Sequence, residues 1–173
     1  TEESDLPPLN MKKPHVLNIH MMKENVCPMD YEDVAGIWRV EEVSSYDGAY
    51  APYEIELVHV AEDTMLAKGL WNFEIEEQRS DITCIVDLTP GSETFTIPKQ
   101  EFAVHSSYGQ VWFQGSGTTI NTCQKTITAS YSVYVGAGNF DLITESVWTY
   151  VGPASKNQKN IPFERMDTKT LKK

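Results

Sequence analysis

The feature that most constrains the fold is a long alternation of apolar and polar residues between positions 125 and 136. Every second residue of this run is apolar: Ile127, Ala129, Tyr131, Val133 and Val135. The residues between them are mainly threonine and serine. Because successive side chains of a strand point to opposite faces of a sheet, the pattern predicts an antiparallel strand that is buried on one face.

Similar runs elsewhere in the chain predict eight strands in all. They lie at residues 37–45, 53–60, 64–73, 82–89, 94–98, 108–114, 125–136 and 142–151. The connectors carry turn-forming residues, and the Gly-Ser-Gly motif at 115–117 is expected to reverse or kink the chain. Antiparallel strands joined by short turns form a meander, and about eight strands close a small barrel. The predicted fold class is therefore all-β, an eight-stranded up-and-down antiparallel barrel.

The two ends of the chain differ from this alternating region. We divide the chain into an irregular N-terminal tether of residues 1–29, a barrel of residues 30–151 and a basic tail of residues 152–173. Prolines interrupt both ends, and neither end shows sustained alternation. Residues 1–12 and 168–173 are therefore expected to add little to stability.

The charge of the chain restricts its partners. Residues 37–151 hold 16 acidic and five basic side chains, so this part alone has a net charge of −11. A strongly acidic surface repels the phosphates of nucleic acids and of anionic membranes, and we expect neither as a partner. No apolar run approaches the roughly 20 residues that a membrane-spanning helix requires.

The three cysteines, Cys27, Cys84 and Cys123, share no spacing that is typical of a zinc site. They leave two alternatives, buried thiols or one disulfide with a leftover thiol, and we favour the thiols. The chain begins at Thr1 with a polar stretch that contains proline. Such a stretch is typical of the tether behind a removed export signal, so we expect an exported protein.

No arrangement of residues predicts catalysis or metal binding. Ser116 lies between two glycines, but the motif is not G-x-S-x-G and it leads into a strand, not a helix. The histidines at positions 15, 20, 59 and 105 form no pair with metal-binding spacing. Glu54 and Glu56 share a strand face that is expected to be solvated. We therefore predict a protein that is not an enzyme and that uses no metal or cofactor.

The large apolar side chains at every second position of the predicted strands are better candidates for function than these polar residues. If these phases face inward, six residues line the lumen of the barrel: Tyr53, Leu57, Met65, Trp71, Ile127 and Tyr131. Apolar walls edged with tyrosine hydroxyls are typical of small-ligand pockets. The alternative is that the same side chains simply fill the interior. Since few basic residues lie in this region, a neutral apolar ligand fits better than an anionic lipid.

Gly36-Ile37-Trp38 stands at the start of the first predicted strand, directly after a predicted helical turn that begins at Asp30. This placement resembles the G-x-W signature of lipocalins and other calycins. The resemblance implies that Gly36 and Trp38 close one end of the barrel, with Trp38 buried. In lipocalins a late arginine packs across this tryptophan. The last predicted strand has no arginine, so only Arg165 in the tail is placed to take that role.

Three further stretches carry a longer resemblance: Ile97-Pro98-Lys99-Gln100, Gly115-Ser116-Gly117-Thr118, and the strand from Lys125 through Tyr131 to Val133. They are similar to motifs of the calycin-like lipoproteins of Bacteroidetes, whose functions are largely uncharacterised. The resemblance implies a lipocalin-like barrel in the periplasm or on the outer surface of a bacterium, held there by an N-terminal lipid anchor.

We therefore expect an exported barrel protein that binds a small, neutral, lipid-like molecule without catalysis. The alternative is an accessory or structural surface protein with a solid barrel that contacts another protein through its loops. Contact with a membrane is expected only through the lost anchor. The sequence leaves the oligomeric state and the identity of the ligand open.

Overall fold

The computed structural model describes residues 27–75, 79–155 and 166–172. The chain enters these ranges through one helix of four residues, α1 (Tyr31–Val34). The strands that follow are β1 (Gly36–Ser44), β2 (Gly48–Ala49), β3 (Tyr53–Ala61), β4 (Thr64–Lys68), β5 (Phe73–Glu74), β6 (Ile82–Asp87), β7 (Thr94–Thr96), β8 (Gln100–His105), β9 (Gly109–Asn121), β10 (Thr126–Val135), β11 (Gly138–Gly152) and β12 (Met166–Thr168). No helix in the described ranges is long and apolar enough to cross a membrane.

Nine strands form one antiparallel sheet that curls into a half-barrel, in the spatial order β7-β6-β4-β3-β1-β11-β10-β9-β8. The short β2 pairs with β1, and β5 pairs in parallel with β12 in a separate small sheet. The prediction of an all-β antiparallel meander is confirmed. The predicted number of strands is wrong, because the sheet has nine strands and not eight.

The strand that the sequence did not predict is β8. Its neighbouring residues Phe102 and Ala103 are both buried, because the register with β9 shifts between Glu101 and Ala103. A bulge of this kind places an extra residue in one strand and disturbs the alternation of its side chains. The period-2 signal is therefore lost where this strand runs.

The Gly-Ser-Gly motif at residues 115–117 lies inside β9 and does not reverse the chain. The register between β9 and β10 shifts at this motif, opposite Ser130 and Tyr131. The motif is therefore a kink within a long strand, one of the two outcomes expected from the glycines. The chain reverses later, between the end of β9 and the start of β10.

Where the two ends of the sheet approach each other, β8 contacts β6, and β9 contacts the residue that follows β7. The Gln100 side-chain amide donates to the Thr83 carbonyl (2.9 Å) and accepts from the Thr83 N–H (2.7 Å), as a strand backbone would. The Gly115 N–H donates to the Ile97 carbonyl (3.0 Å). A Cβ at Gly115 would lie 2.8 Å from the Cβ of Ile97, so this close approach requires glycine.

Trp38 packs where α1 meets the sheet, and it is fully buried as expected. Its indole N–H donates to the Val34 carbonyl (2.9 Å), and its ring meets the Tyr150 ring edge-on at 5.3 Å between centroids. α1 begins at a capping box, in agreement with the predicted helical turn. A Cβ at Gly36 would lie 2.5 Å from a backbone oxygen of β11, so a larger residue does not fit. Arg165, the expected cover for Trp38, lies outside the described residues.

Cys27 and Cys123 form a disulfide that ties the chain before α1 to the turn between β9 and β10. The prediction of free thiols is wrong for this pair. The two residues are 96 positions apart, and only the fold brings their Cα atoms to 5.0 Å. Cys84 is a buried thiol, and burial raises its pKa.

The described part of the tail packs against the half-barrel. Its strand β12 pairs with β5, and the Lys169 N–H donates to the Glu74 carbonyl (3.1 Å). Lys172 and Asn139 exchange two backbone hydrogen bonds of 2.7 and 3.1 Å. These contacts argue against the expectation that residues 168–173 add little to stability. One short parallel pairing gives no periodic signal in the sequence.

Candidate functional site

The six side chains predicted to line a lumen belong to the core of the half-barrel. Leu57, Met65, Trp71, Ile127 and Tyr131 are buried, and Tyr53 is partly buried and packs against them. One of these residues has a different setting from the predicted one. Trp71 does not lie on a strand, because β4 ends at Lys68 and Trp71 occupies the turn that follows, with φ of 50°.

Several aromatic rings pack against one another inside the curled sheet. Phe113 and Tyr131 stack with their centroids 4.5 Å apart. Phe102 meets Phe113 edge-on at 5.5 Å and Trp71 at 5.8 Å. This packing favours the alternative stated from the sequence, in which the inward side chains fill the interior. Ligand binding inside the half-barrel stays a prediction.

Two carboxylates are buried in this aromatic interior, and the first is Glu42 on β1. Only 2% of Glu42 is exposed. Its Oε1 accepts from the Tyr131 hydroxyl (2.5 Å) and the Ser146 hydroxyl (2.8 Å), and its Oε2 accepts from the Tyr53 hydroxyl (2.8 Å). All three donors are uncharged at neutral pH, so none of them compensates a negative charge on Glu42 as a cation would.

The proton affinity of Glu42 follows from this setting. Burial raises its pKa from 4.5 to about 7, and the hydrogen bonds from Tyr131, Ser146 and Tyr53 oppose the rise only in part. Burial also raises the pKa of both tyrosines well above their ordinary value, so both remain hydroxyl donors. Glu42 is therefore a buried acid that exchanges its proton near neutral pH.

The second buried carboxylate is Asp141 on β11, which has no exposed surface. Its Oδ1 accepts from the Ser44 hydroxyl (2.6 Å) and its Oδ2 from the Tyr50 hydroxyl (2.7 Å). The indole N–H of Trp71 donates to the same Oδ2 (2.8 Å). Trp71 therefore orients a buried acid, a role that its apolar phase did not indicate.

A cation from the tail faces Asp141. The Lys169 side chain is only 8% exposed, and its ammonium nitrogen lies 3.6 Å from Asp141 Oδ2. The ammonium donates to Asp47 Oδ2 (2.6 Å) and to the Tyr50 hydroxyl. It also lies 4.3 Å from the ring centroids of both Tyr50 and Phe73. Two carboxylates, one hydroxyl and two aromatic faces thus surround one ammonium group, which we call the ammonium cage.

A groove lies on the outer face of β1 and β11. Its volume is about 310 Å³, and it is lined by Glu41, Glu42, Val43, Ala49, Tyr50, Pro52, Glu145 and Val147. In the strand pairing Glu41 stands opposite Val147, and Val43 stands opposite Glu145. Acidic and apolar side chains therefore alternate along the floor, and both carboxylates are exposed to solvent.

The other residues considered for chemistry remain apart. The Ser116 hydroxyl lies 3.2 Å from the Ser130 hydroxyl. His59 contacts Glu32 (3.2 Å) and stacks on Tyr31 with ring centroids 4.9 Å apart. Within the described ranges no three His, Cys, Asp or Glu side chains are grouped to hold a metal ion. The histidines at 15 and 20 lie outside those ranges.

The sequence contained a signal for one of the buried acids. Glu42 is in phase with Trp38 and Val40 on β1, so the alternation places it on the buried face. Asp141 gave no such signal, because it follows the buried Phe140 and breaks the alternation. Lys169 lies in a segment without periodicity.

The chain was compared with family models, with curated proteins and with solved structures. None of the three comparisons found a match.

Proposed function

We propose that this protein binds a basic, partly apolar segment of another protein in the outer groove, without catalysis. This develops the alternative of an accessory surface protein, with the contact placed in a groove on two strands and not on the loops. The observation that carries the proposal is the aromatic packing of Trp71, Phe102 and Phe113 with Tyr131. Close packing of these rings favours an outer binding surface over an internal one.

The lining of the groove supports a basic partner. Glu41 and Glu145 present carboxylates on neighbouring strands, while Val43, Val147 and Pro52 supply apolar contacts. A lysine or arginine side chain has a long apolar stem and a charged end, and both parts find a matching surface here. The overall net charge of −11 attracts such a partner over a longer range.

Other parts of the expected biology remain proposals. The Cys27–Cys123 disulfide supports an exported protein, because disulfides persist in oxidising compartments. The meander, with β1 paired to β11, supports a calycin-like architecture related to the expected eight-stranded barrel. A lipid anchor and a bacterial cell surface rest on the resemblance of the sequence motifs.

A peptide titration followed by NMR tests the groove. The probe is the capped tripeptide Leu-Lys-Leu, and the matched control is the capped tripeptide Leu-Glu-Leu. We expect saturable shifts of the Val43 and Val147 resonances with the lysine peptide only, and weaker binding at high salt. Equal shifts with both peptides, or no saturation with either, would contradict the proposal.

Matched variants separate the groove from the general acidity of the surface. The double variant Glu41→Gln/Glu145→Gln removes both groove carboxylates and is expected to weaken peptide binding by up to about tenfold. The control Glu62→Gln/Glu101→Gln removes two exposed carboxylates elsewhere and changes the net charge equally. If both double variants bind equally well, the groove is not the site.

A second measurement addresses the interior. A panel of neutral apolar molecules is screened by thermal shift and by tryptophan fluorescence. The proposal expects no saturable stabilisation and no change at Trp71. A panel member that stabilises the protein and changes Trp71 fluorescence would support a ligand within the half-barrel and contradict the proposed filled interior.

A further inference from the structure

The ammonium cage shares Tyr50 with the outer groove, and the ammonium of Lys169 already occupies it. The amine of Lys169 has an ion pair with Asp141, a salt bridge with Asp47, and a hydrogen bond to Tyr50. Two aromatic faces complete its surroundings. The Lys169 side chain is 8% exposed, and four side chains contact its ammonium in the way that a protein contacts a bound cation.

The backbone of the tail packs closely against the start of β11, next to the cage. A Cβ at Gly138 would lie 2.4 Å from the Lys172 carbonyl oxygen, so the tail crosses β11 where only glycine fits. The N–H of Asn139 donates to that same oxygen (3.1 Å). The backbone on either side of Lys169 is therefore held by strand pairing. Before it, β12 pairs with β5, and after it Lys172 pairs with Asn139.

The chemistry of the cage selects a primary alkylammonium ion. Asp47, Asp141 and the Tyr50 hydroxyl offer oxygen acceptors on one side, and an ammonium group has three N–H donors to match them. The faces of Tyr50 and Phe73 favour a cation with an apolar stem. A hard metal ion needs six or more oxygen ligands, and aromatic faces supply none.

We infer that the cage is a binding site for small primary alkylammonium ions and that Lys169 fills it as an intramolecular competitor. The inference does not depend on the peptide groove. A free amine enters when Lys169 withdraws, and it then occupies the place of the lysine ammonium beside Asp141. Because Lys169 is tethered, it competes at a high effective concentration, and the wild-type protein binds free amines weakly.

The test is a chemical rescue of Lys169→Ala with n-propylammonium, which carries the side-chain atoms that the substitution removes. We expect Lys169→Ala to melt below the wild type and n-propylammonium to raise its melting temperature saturably, by at least about 3 °C. The wild type is expected to shift by less than about 1 °C under the same conditions. Absence of a saturable rise in Lys169→Ala would overturn the inference.

Three controls make the rescue specific. Lys169→Met keeps an apolar side chain in the cage and should not respond to the amine. Lys172→Ala loses a half-exposed lysine whose amine is 3.7 Å from Asp47, and it should not respond either. The neutral analogue n-propanol should stabilise none of the variants. An equal response of Lys172→Ala or an equal effect of n-propanol would show a non-specific effect and contradict the site.

Two further experiments complete the test, a refolding assay and a comparison with a capped lysine amide. If Lys169→Ala does not fold in buffer, it is refolded with and without n-propylammonium; folded protein only with the amine supports the site, and none in either condition contradicts it. A capped lysine amide distinguishes a free amine from a lysine of another protein. The tail backbone still covers the cage, so we expect rescue by n-propylammonium and not by the capped lysine. Equal rescue by both would overturn the assignment to a free amine.

Discussion

Glu42 and Asp141 are buried in the same half-barrel, yet the protein compensates their charges in different ways. Glu42 is 2% exposed, and this burial favours its protonated form by raising its pKa to about 7, although hydroxyl groups donate hydrogen bonds to it. Asp141 has no exposed surface, and the ammonium of Lys169 lies 3.6 Å from it. The comparison shows that a buried acid can be held either by protonation within the core or by a cation brought from a distant segment.

The partners of the two buried acids come from different parts of the chain. The Glu42 network is formed by side chains of β1, β3, β10 and β11, which are already joined in the sheet. The Asp141 network needs Lys169, which arrives from beyond the last strand of the half-barrel. Disturbing the tail should therefore affect Asp141 most, and it should reach Glu42 only through the charge of Asp141, which is the smallest cause of the raised Glu42 pKa.

The largest expected effect comes from Lys169→Met. This substitution leaves Asp141 buried without its cation. Removing one partner of a buried ion pair lowers the free energy of unfolding by about 3–5 kcal/mol. Urea denaturation should show this loss in the free energy of unfolding. Lys172→Met is the matched control, with an expected loss below about 1 kcal/mol because Lys172 is partly exposed. If the two variants lose the same amount, Lys169 has no special role beside Asp141.

The next effect is a pH dependence that Glu42 creates. Its folded pKa is about 7 and its ordinary value is 4.5, so between these values the folded state binds more protons than the unfolded state. The contribution of Glu42 to the free energy of unfolding therefore falls by on the order of 3 kcal/mol as the pH rises from 4.5 through 7. Above that range the contribution is constant. Denaturation curves at several pH values measure it.

Glu42→Gln isolates this contribution, since the amide has a similar shape and does not titrate. We expect the variant to lose most of the decline in stability between pH 5 and pH 8. A decline of unchanged size in Glu42→Gln would assign the pH dependence to other groups and remove the contrast with Asp141.

A smaller loss of stability is expected from a glycine substitution where the tail packs against β11. Gly138→Ala places a Cβ 2.4 Å from the Lys172 carbonyl oxygen and should cost about 1–3 kcal/mol by displacing the tail. Gly136→Ala is the control, because a Cβ there meets nothing within 4 Å. Equal melting temperatures for the two variants would show that the tail does not depend on this contact.

The smallest expected effect belongs to Asp47→Asn. Asp47 bonds the same ammonium as Asp141, but its side chain is 35% exposed, so water replaces much of the interaction. The loss should be below about 1 kcal/mol in urea denaturation. A loss as large as that of Lys169→Met would mean that Asp47, and not Asp141, is the main partner of the lysine.

The sequence predicted the elements whose side chains alternate without interruption. β1, β3 and β10 follow the predicted runs closely, and the helical turn before Gly36 is present. β8 was missed because its register shift places both Phe102 and Ala103 in the interior. The disulfide and the tail were missed for another reason, since each depends on segments far apart in the chain.

The candidate site was less accessible from the sequence than the fold. The six predicted lumen residues do belong to the interior, but alternation gives only the direction of a side chain and not the space around it. Glu42 was within reach, because it shares its phase with Trp38. Asp141 and Lys169 were not, since a bulged strand and a docked tail bring them together.

The most direct test of this account is an NMR titration of the Glu42 side-chain carboxyl carbon in the wild type and in Lys169→Met. We predict a midpoint near pH 7 in both proteins, because burial is the largest cause of the raised Glu42 pKa and the charge of Asp141 is the smallest. A midpoint near the ordinary value of 4.5 in the wild type would contradict it. A midpoint that moves with the loss of Lys169 would show that the two buried acids form one network.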